Sequence, residues 1–256
     1  MALLQVSFYS HTLGLNMQMN VILPQQDPTN PTPRKIPVLY LLHGRSDDHS
    51  TWLRQTSIER YVSEMNLAVI MPSVHLSYYT DMVHGNKYWT FVSEELPKIV
   101  HSFFHNLSDK REDNFVAGLS MGGYGALKMG LAVSQNFCAV ASLSGALDIS
   151  SRCLSRQNSR DKQYWFDVFG DPQQVKDSKN DLLALASTLA TSNKPLPKVY
   201  LWCGTEDFLY DLNITMKNHL EALPFDLTYE ESPGDHQWKY WDAQIQRVLQ
   251  WLPIKK

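Results

Sequence analysis

The stretch Asn114–Gly125, NFVAGLSMGGYG, joins an apolar run to a glycine-rich turn and decides the fold prediction. Residues 115–117 are typical of a buried strand, and the residues after the turn have helical potential. Between them, Gly118, Ser120 and Gly122 fit the pattern GxSxG. In such an elbow the serine occupies a strained turn, and flanking glycines keep the strand and helix backbones from clashing. We therefore expect a strand, a sharp turn and a helix, with the Ser120 hydroxyl above the sheet.

Continuous apolar runs of five or six residues recur along the chain and alternate with segments of helical spacing. Such runs are typical of parallel strands that are buried on both faces. They cover residues 37–42, 67–71, 139–143 and 199–203, and a last strand is expected at 227–230. The alternation predicts an α/β fold, a mostly parallel central sheet with helices on both faces.

Three features modify this alternation. Strand-like residues 3–9 and 16–23 flank a turn and predict an N-terminal antiparallel hairpin. Four prolines in residues 24–33 predict an exposed connection without regular structure. Pro97 falls inside the helical pattern of residues 88–107, where it either kinks one helix or separates a short helix from a longer one.

The alternation stops between about Asp148 and Ala190, where serines and arginines mix with aromatic residues and no long amphipathic period is visible. Insertions at this point of such a sheet often cover the site at its edge. We expect one α/β domain over residues 1–256 with an inserted cap-like segment at about 148–190. The alternative is a surface excursion whose aromatic side chains pack onto the body.

Composition and charge exclude several classes of protein. Of the 256 residues, 43% are hydrophobic and 19% charged, as in globular proteins rather than disordered ones. The 23 basic and 26 acidic side chains give a net charge of −3 without a basic stripe, which argues against nucleic acid and membrane partners. No apolar stretch of the sequence approaches the roughly 20 residues of a membrane helix.

Cysteine usage and the N-terminal residues predict the compartment. Cys138, Cys153 and Cys203 lack the spacing of a metal site or a disulfide framework, which suits a reducing environment. The first residues carry no basic region, and their apolar run is too short for a signal peptide. We therefore expect a cytoplasmic protein.

A serine hydroxyl is a weak nucleophile at neutral pH, so Ser120 needs a base within hydrogen-bond reach and a third group that orients the base. In α/β-hydrolases an acid and then a histidine follow the serine, each on a loop beyond the C-terminal end of a strand. The loop after strand 199–203 carries Asp207, and the loop after strand 227–230 carries His236. Residue type and chain order therefore predict a triad of these three side chains.

Other residues compete for two of these roles. Glu206 and Asp211 lie close to Asp207 in sequence, but Asp211 is placed to begin the next helix and to cap it. His219 also follows the candidate acid, yet it lies within a helical pattern. His43 is conspicuous after an early strand, and we expect its side chain to be structural. Asp207 is therefore the favoured acid.

Attack on a carbonyl also needs hydrogen-bond donors for the oxygen that becomes negative in the tetrahedral intermediate. One expected donor is the backbone N–H of Met121, directly after the serine. The second should come from the loop after an early strand, where Gly44 and Arg45 stand. The backbone N–H groups of Arg45 and Met121 are therefore the predicted oxyanion hole.

In combination, five motifs resemble the esterase D-like branch of the α/β-hydrolases, and within it the tributyrin esterases of lactic-acid bacteria and streptococci. The motifs are Leu41–Gly44, Tyr88–Pro97, Gly118–Gly123, Trp202–Tyr210 and His236 with Trp238. The resemblance spans nearly the whole chain. It implies the α/β-hydrolase fold.

The resemblance also implies an activity. It implies a carboxylesterase for short acyl esters, acetyl to butyryl, that needs neither a metal nor an organic cofactor. It carries Ser120, Asp207 and His236 over as the triad, with Arg45 and Met121 as oxyanion donors. The same branch contains S-formylglutathione hydrolases, feruloyl and acetylxylan esterases and mycolyl transferases. A thioesterase or a carbohydrate esterase is therefore the alternative.

Two aromatic residues, Trp89 and Tyr79, are candidates for the substrate pocket, although aromatic residues in such positions more often belong to the core. The expected partner is a small-molecule ester rather than a lipid surface, because neither the net charge nor a surface helix favours lipid binding. The sequence leaves the oligomeric state open, including a homo-oligomer.

Overall fold

The computed structural model describes residues 1–26 and 34–254. Eight strands lie in these residues: β1 (Ala2–Ser10), β2 (Leu15–Leu23), β3 (Val38–Leu42), β4 (Ala68–Pro72), β5 (Asn114–Leu119), β6 (Ala139–Leu143), β7 (Lys198–Gly204) and β8 (Leu227–Ser232). They form one sheet in the order β1-β2-β4-β3-β5-β6-β7-β8. β2 pairs antiparallel with both β1 and β4, and the other neighbouring pairs are parallel. The predicted sheet and its N-terminal hairpin are confirmed.

The connection predicted at residues 24–33 lies mostly outside the described residues, which resume at residue 34. The turn of the hairpin is described, and Gly14 adopts a left-handed φ of 66° there. A glycine adopts such a φ without the clash that a Cβ would cause. The reversal between β1 and β2 therefore has a local cause in the sequence.

Ten α-helices lie in the described residues: α1 (Thr51–Gln55), α2 (Ile58–Tyr61), α3 (Tyr88–Thr90), α4 (Leu96–Phe103), α5 (Met121–Ala132), α6 (Ile149–Arg156), α7 (Lys162–Phe169), α8 (Leu182–Ala190), α9 (Tyr210–Glu221) and α10 (Trp238–Trp251). Short 3₁₀ turns occur at Arg111–Asp113 and Pro172–Gln174. Within residues 1–26 and 34–254, none of the helices has the length and apolar character needed to cross a membrane.

Two hydrophobic cores lie on opposite faces of the sheet. Phe115 of β5 belongs to the core that α1, α2 and α10 cover, and Val116 belongs to the core that α4, α5, α8 and α9 cover. Both side chains are fully buried. Because both faces are covered, the central strands need apolar residues at every position, which explains their continuous apolar runs.

The structure resolves the ambiguity at Pro97. A π-helical turn at Phe91–Glu95 follows α3 and leads directly into α4, with Pro97 in the first turn of α4. In a regular α-helix a proline ring clashes with the carbonyl group four residues earlier. The wider π turn lies where that clash would occur, so the segment from Tyr88 to Phe103 is one helical run with an irregular middle.

Segment 148–190 is more regular than its sequence suggests, since it contains α6, α7 and α8. The Asp148 carboxylate accepts a hydrogen bond from the Ser151 N–H, and the Asp181 carboxylate accepts from the Leu183 N–H. Such aspartates are favoured at helix N-termini because they satisfy otherwise unpaired donors. Helices of eight or nine residues are too short to show a long amphipathic period, which is why the pattern was absent.

Because β3, β5, β7 and β8 run parallel, their C-terminal ends lie at one edge of the sheet. The loops that follow these strands therefore share that edge, where α/β proteins usually place their functional residues.

Candidate active site

The elbow between β5 and α5, residues 118–122, has the strained geometry that its motif predicts. Ser120 adopts a φ of 53° and a ψ of −116°, outside the regions that most side chains prefer. A Cβ built on Gly118 would lie closer than 3.0 Å to the Gly122 carbonyl group. A Cβ on Gly122 would approach the Leu42 carbonyl oxygen equally closely. Glycines are therefore required on both sides of the serine.

A chain of hydrogen bonds links the three predicted triad residues. The Ser120 Oγ lies 2.9 Å from His236 Nε2, and His236 Nδ1 lies 2.8 Å from Asp207 Oδ2. The carboxylate accepts a hydrogen bond from Nδ1–H, so the unprotonated Nε2 is free to accept the serine proton. The Asp207 side chain has no exposed surface, whereas 19% of the His236 side chain is exposed. The structure brings all three together at the edge of the sheet.

The Asp207 carboxylate is held by its own loop. Its Oδ1 accepts a hydrogen bond from the Leu209 N–H at 2.9 Å, while Oδ2 faces His236. A buried carboxylate is costly unless donors surround it, and these two donors satisfy both oxygens. Asp207 is therefore fixed in position before any substrate arrives.

The competing residues lie elsewhere. The Glu206 carboxylate accepts a hydrogen bond from the Gly234 N–H, which holds the loop after β8 against the loop after β7. Asp211 is exposed in the first turn of α9, where its side chain caps no N–H. His219 Nε2 contacts the Ser187 hydroxyl at 3.0 Å, away from the elbow. None of the three contacts Ser120.

Two aromatic rings contact the imidazole of His236, and no pattern in the sequence predicts either contact. The Phe208 ring centroid lies 4.5 Å away, and the Trp241 ring meets the imidazole edge-on at 4.8 Å. Trp241 is buried and donates a hydrogen bond to the Ser144 hydroxyl, whereas Phe208 is 61% exposed. The imidazole therefore contacts one buried ring and one exposed ring.

His43 is structural, as expected from the sequence. Burial lowers its pKa to about 4, so the side chain is neutral at neutral pH. Its Nε2 accepts a hydrogen bond from the Val74 N–H at 3.0 Å, which leaves Nδ1 to donate to the Gly44 carbonyl oxygen at 2.8 Å. The Asp47 N–H donates to the same oxygen at 3.3 Å. The orientation of the peptide group between Gly44 and Arg45 is thereby fixed.

This orientation matters for the predicted oxyanion donors. In a trans peptide the N–H points opposite to the C=O, so the Arg45 N–H points away from His43. A Cβ on Gly44 would lie 3.7 Å from the Ser120 Cβ, so this loop lies against the serine. Within the described residues, neither the Arg45 N–H nor the Met121 N–H donates to an acceptor. Two backbone donors near Ser120 are therefore free for a ligand.

The structure does not place the two candidate pocket residues at an open surface beside Ser120. Tyr79 has no exposed surface and donates its hydroxyl proton to the His43 carbonyl oxygen at 3.0 Å. The Trp89 ring lies 4.7 Å from the Lys128 Nζ, eight residues beyond the serine on α5. Eight helical residues span about 12 Å. Tyr79 is therefore a buried residue that bonds the loop after β3, and Trp89 packs against the buried part of α5.

Segment 148–190 supplies side chains that sequence reasoning did not assign to the site. Arg45 Nη1 forms an ion pair with Asp161 Oδ2 at 3.1 Å, and its guanidinium lies 4.2 Å from the Tyr164 ring centroid. Arg152 of α6 lies 5.2 Å from the Phe208 ring centroid. Segment 148–190 therefore contacts both the loop after β3 and the ring that flanks the imidazole.

No group of three or more histidine, cysteine, aspartate or glutamate side chains is arranged to hold a metal ion in the part of the chain that the structure describes. The residues assembled around Ser120 are instead suited to proton transfer and to binding a developing negative charge.

The sheet order, the strained serine after β5 and the histidine and carboxylate on the loops after β8 and β7 define an α/β-hydrolase with a serine-centred site. The Esterase family model matches residues 10–252, and the chain belongs to this family.

Individual relatives agree with this class. An acetyl esterase from Caldicellulosiruptor saccharolyticus is 34% identical over 262 residues, covering 98% of this chain and 98% of that protein. The Staphylococcus aureus fluorophosphonate-binding serine hydrolase FphF, solved with substrate bound, is 35% identical; the match covers 100% of this chain and 99% of that one, with a TM-score of 0.91. The S. aureus S-formylglutathione hydrolase FrmB is 35% identical, covering 98% of each chain with a TM-score of 0.87. The chain is a serine carboxylic ester hydrolase. The resemblance to tributyrin esterases stays a prediction.

Proposed function

We propose that the chain hydrolyses short-chain acyl esters, acetyl to butyryl, through an acyl-enzyme formed on Ser120. One observation carries this proposal, the continuous hydrogen-bond chain from the Ser120 hydroxyl through His236 to the buried Asp207. The likeness to an acetyl esterase along 98% of the chain supports the acyl class.

Acylation begins when His236 Nε2 takes the proton of Ser120 as the hydroxyl attacks the ester carbonyl group. Asp207 holds the imidazole in the tautomer that leaves Nε2 free, and its negative charge stabilises the imidazolium that forms. The imidazolium then gives its proton to the departing alcohol oxygen. Water repeats the sequence on the acyl-enzyme, which releases the acid and restores the serine.

The developing oxyanion binds the free N–H groups of Arg45 and Met121. Such a donor contributes about 3 kcal/mol to the transition state because it is already oriented before the charge develops. The hydrogen bonds from His43 and Asp47 to the Gly44 carbonyl oxygen support that orientation for Arg45.

Segment 148–190 is proposed to act as the cap of this site within a single domain. Its support is the Arg45–Asp161 ion pair, which joins the cap to the oxyanion loop. Close-packed aromatic rings, one of them from the cap, support the preference for small acyl groups. The Tyr78 ring centroid lies 5.7 Å from that of Tyr124 and 5.2 Å from that of Trp165, and all three rings are buried.

The test is a chain-length series of p-nitrophenyl esters from acetate to octanoate. We expect kcat/KM to be highest between acetate and butyrate and to fall for longer chains. In S120A, turnover of p-nitrophenyl acetate should be abolished, while circular dichroism and the melting temperature stay close to wild type. Near-wild-type turnover by a folded S120A would refute the mechanism, and a maximum at octanoate would refute the acyl preference.

The second candidate is a thioesterase that acts on S-formylglutathione, and the likeness to FrmB favours it. The two functions share one mechanism and differ in the leaving group. Comparing kcat/KM for S-formylglutathione with that for acetyl and butyryl oxygen esters separates them. A small-molecule ester is the proposed partner in the first case, whereas the cytoplasmic location and a homo-oligomeric state stay predictions.

A further inference from the structure

Arg152 is a half-buried arginine of segment 148–190. It lies in the middle of α6, and its guanidinium forms neither a hydrogen bond nor an ion pair with any described residue. Its Nε is enclosed and has no acceptor. Buried donors and charges of this kind are normally paired, because leaving them unpaired costs free energy. An unpaired guanidinium in such a place is suited to an acceptor that arrives from outside the chain.

The surrounding charges leave this arginine unneutralised. Burial and then the nearby Arg156 and Arg45 lower the pKa of Arg152, whereas Tyr78 and Asp161 raise it. Asp161 is the nearby carboxylate, and it already pairs with Arg45 at 3.1 Å and accepts a hydrogen bond from Trp165. An arginine stays protonated under all ordinary conditions. The positive charge at Arg152 therefore persists, and among the described residues no carboxylate forms an ion pair with it.

The reaction itself determines which part of a substrate meets Arg152. His236 must reach the departing oxygen to protonate it, so the leaving group lies on the His236 side of Ser120. On that side the exposed Phe208 ring lies 4.5 Å from the imidazole, and Arg152 lies 5.2 Å from the Phe208 ring. The Trp241 ring, 4.8 Å from the imidazole, is buried and offers no surface to the leaving group. The exposed Phe208 ring and then Arg152 are therefore the groups beside the imidazole that a substituent of the leaving group can contact.

We propose that Arg152 binds a carboxylate or phosphate on the leaving alcohol and makes the enzyme selective for acyl esters of anionic alcohols. This inference rests on the proposed esterase function and names its substrate class. A guanidinium suits both anions, since its planar fork donates two parallel hydrogen bonds to either. Phe208 contributes an apolar surface for the part of the alcohol between the ester and the anion.

The test compares acetate esters that differ in one charge. The anionic ester is 4-acetoxybenzoate and the neutral ester of similar size is 4-acetoxybenzamide, with each kcat/KM normalised to the rate of uncatalysed hydrolysis. We expect the wild-type enzyme to prefer the anionic ester by about tenfold or more, as a charge-assisted hydrogen bond would give. A third ester, 4-acetoxyphenyl phosphate, shows whether phosphate is preferred over carboxylate; a preference for either anion supports the proposal.

Substitutions of Arg152 test whether this side chain causes the preference for the anionic ester. R152Q should bring the anionic-to-neutral ratio to near one, and R152K, which keeps the charge but loses the fork, should restore part of it. R160Q is the matched control, because Arg160 is an exposed arginine of the same segment, and its ratio should equal that of wild type. Melting temperatures establish that each variant is folded.

Failure of this inference is distinguishable from failure of the esterase function. A wild-type enzyme that hydrolyses both esters at a ratio near one overturns the role of Arg152 and leaves the esterase function standing, whatever the variants do. A ratio that R152Q retains also overturns it. A wild-type enzyme that hydrolyses neither ester overturns the esterase function itself.

Discussion

The elbow with its triad and segment 148–190 meet at the Arg45 side chain and the Phe208 ring, yet they are built in opposite ways. Around the elbow, backbone contacts leave no room for a Cβ on Gly118 or Gly122, and both oxygens of Asp207 have donors. In segment 148–190, the Arg152 guanidinium has no hydrogen-bond or ion-pair partner among the described residues, and Phe166 and Leu154 are exposed. The elbow and triad are fixed before a substrate arrives, whereas segment 148–190 retains a hydrogen-bond donor that a substrate can use.

This difference separates the chemistry from the choice of substrate. Proton transfer requires that the hydrogen bonds of 2.9 Å and 2.8 Å keep Ser120, His236 and Asp207 in place, which a rigid setting maintains. Selection among alcohols requires groups that gain a partner when the substrate binds. Substitutions in the two regions should therefore differ in size and in kind.

The largest effect is expected for D207N. An amide at this position stabilises the wrong imidazole tautomer, so kcat should fall on the order of 10³–10⁴-fold, with little change in KM. The matched control is D211N, which changes the same group four residues later on the exposed surface of α9. Steady-state kinetics with p-nitrophenyl acetate measures both, and D211N should stay within about twofold of wild type. A larger loss in D211N than in D207N would reassign the acid.

An intermediate effect, on the free energy of unfolding, is expected when the pH falls and His43 becomes protonated. In the folded chain, burial lowers the pKa of His43 from its ordinary value of 6.5 to about 4. The unfolded chain therefore binds a proton at His43 more readily than the folded chain does. Stability is therefore complete above pH 6.5 and is lost as the pH falls towards 4, by on the order of 3 kcal/mol. Urea unfolding of wild type and H43Q at pH 7 and pH 4.5 measures the difference. If the stability gap between the two proteins is the same at both pH values, His43 is not the group responsible.

The smallest effect is expected for R45A, at the junction of the two regions. Its backbone N–H remains in place, and the lost ion pair with Asp161 is about one third exposed, so the free energy of unfolding should fall by about 1 kcal/mol or less. Activity towards p-nitrophenyl acetate should fall less than about tenfold, because the proposed donor is the main chain. D161N removes the same ion pair from the other side and should lower the free energy of unfolding at least as much, because Asp161 also accepts a hydrogen bond from Trp165. A loss of 10³-fold in R45A would mean that the side chain takes part in the chemistry.

The parts of the fold that follow from local sequence were predictable. The apolar runs of the central strands, the glycines around Ser120 and the order of Asp207 and His236 each reflect a constraint within a few residues, and the sheet is confirmed. The structure brings the three side chains together, while their catalytic roles stay predictions. Such constraints leave a direct trace in residue type.

Other parts depend on contacts between distant residues and left no such trace. No periodic pattern of apolar residues in the sequence predicts the π turn before Pro97 or the short helices of segment 148–190. Tyr79 was a candidate for the pocket, but its hydroxyl bonds the His43 carbonyl oxygen, 36 residues away, and its ring is fully buried. The unpaired guanidinium of Arg152 depends on where Arg45 and Asp161 lie in space, which spacing alone does not give.

The most direct test of the account is covalent labelling with a fluorophosphonate, followed by peptide mass spectrometry. An activated serine attacks the phosphorus atom and displaces fluoride, whereas an ordinary serine does not react. We predict one phosphonyl group on wild type, located at Ser120, and no labelling of S120A or H236A. A label on a different residue, or a folded wild-type protein that takes up no label, would contradict the assignment of Ser120 as the activated nucleophile.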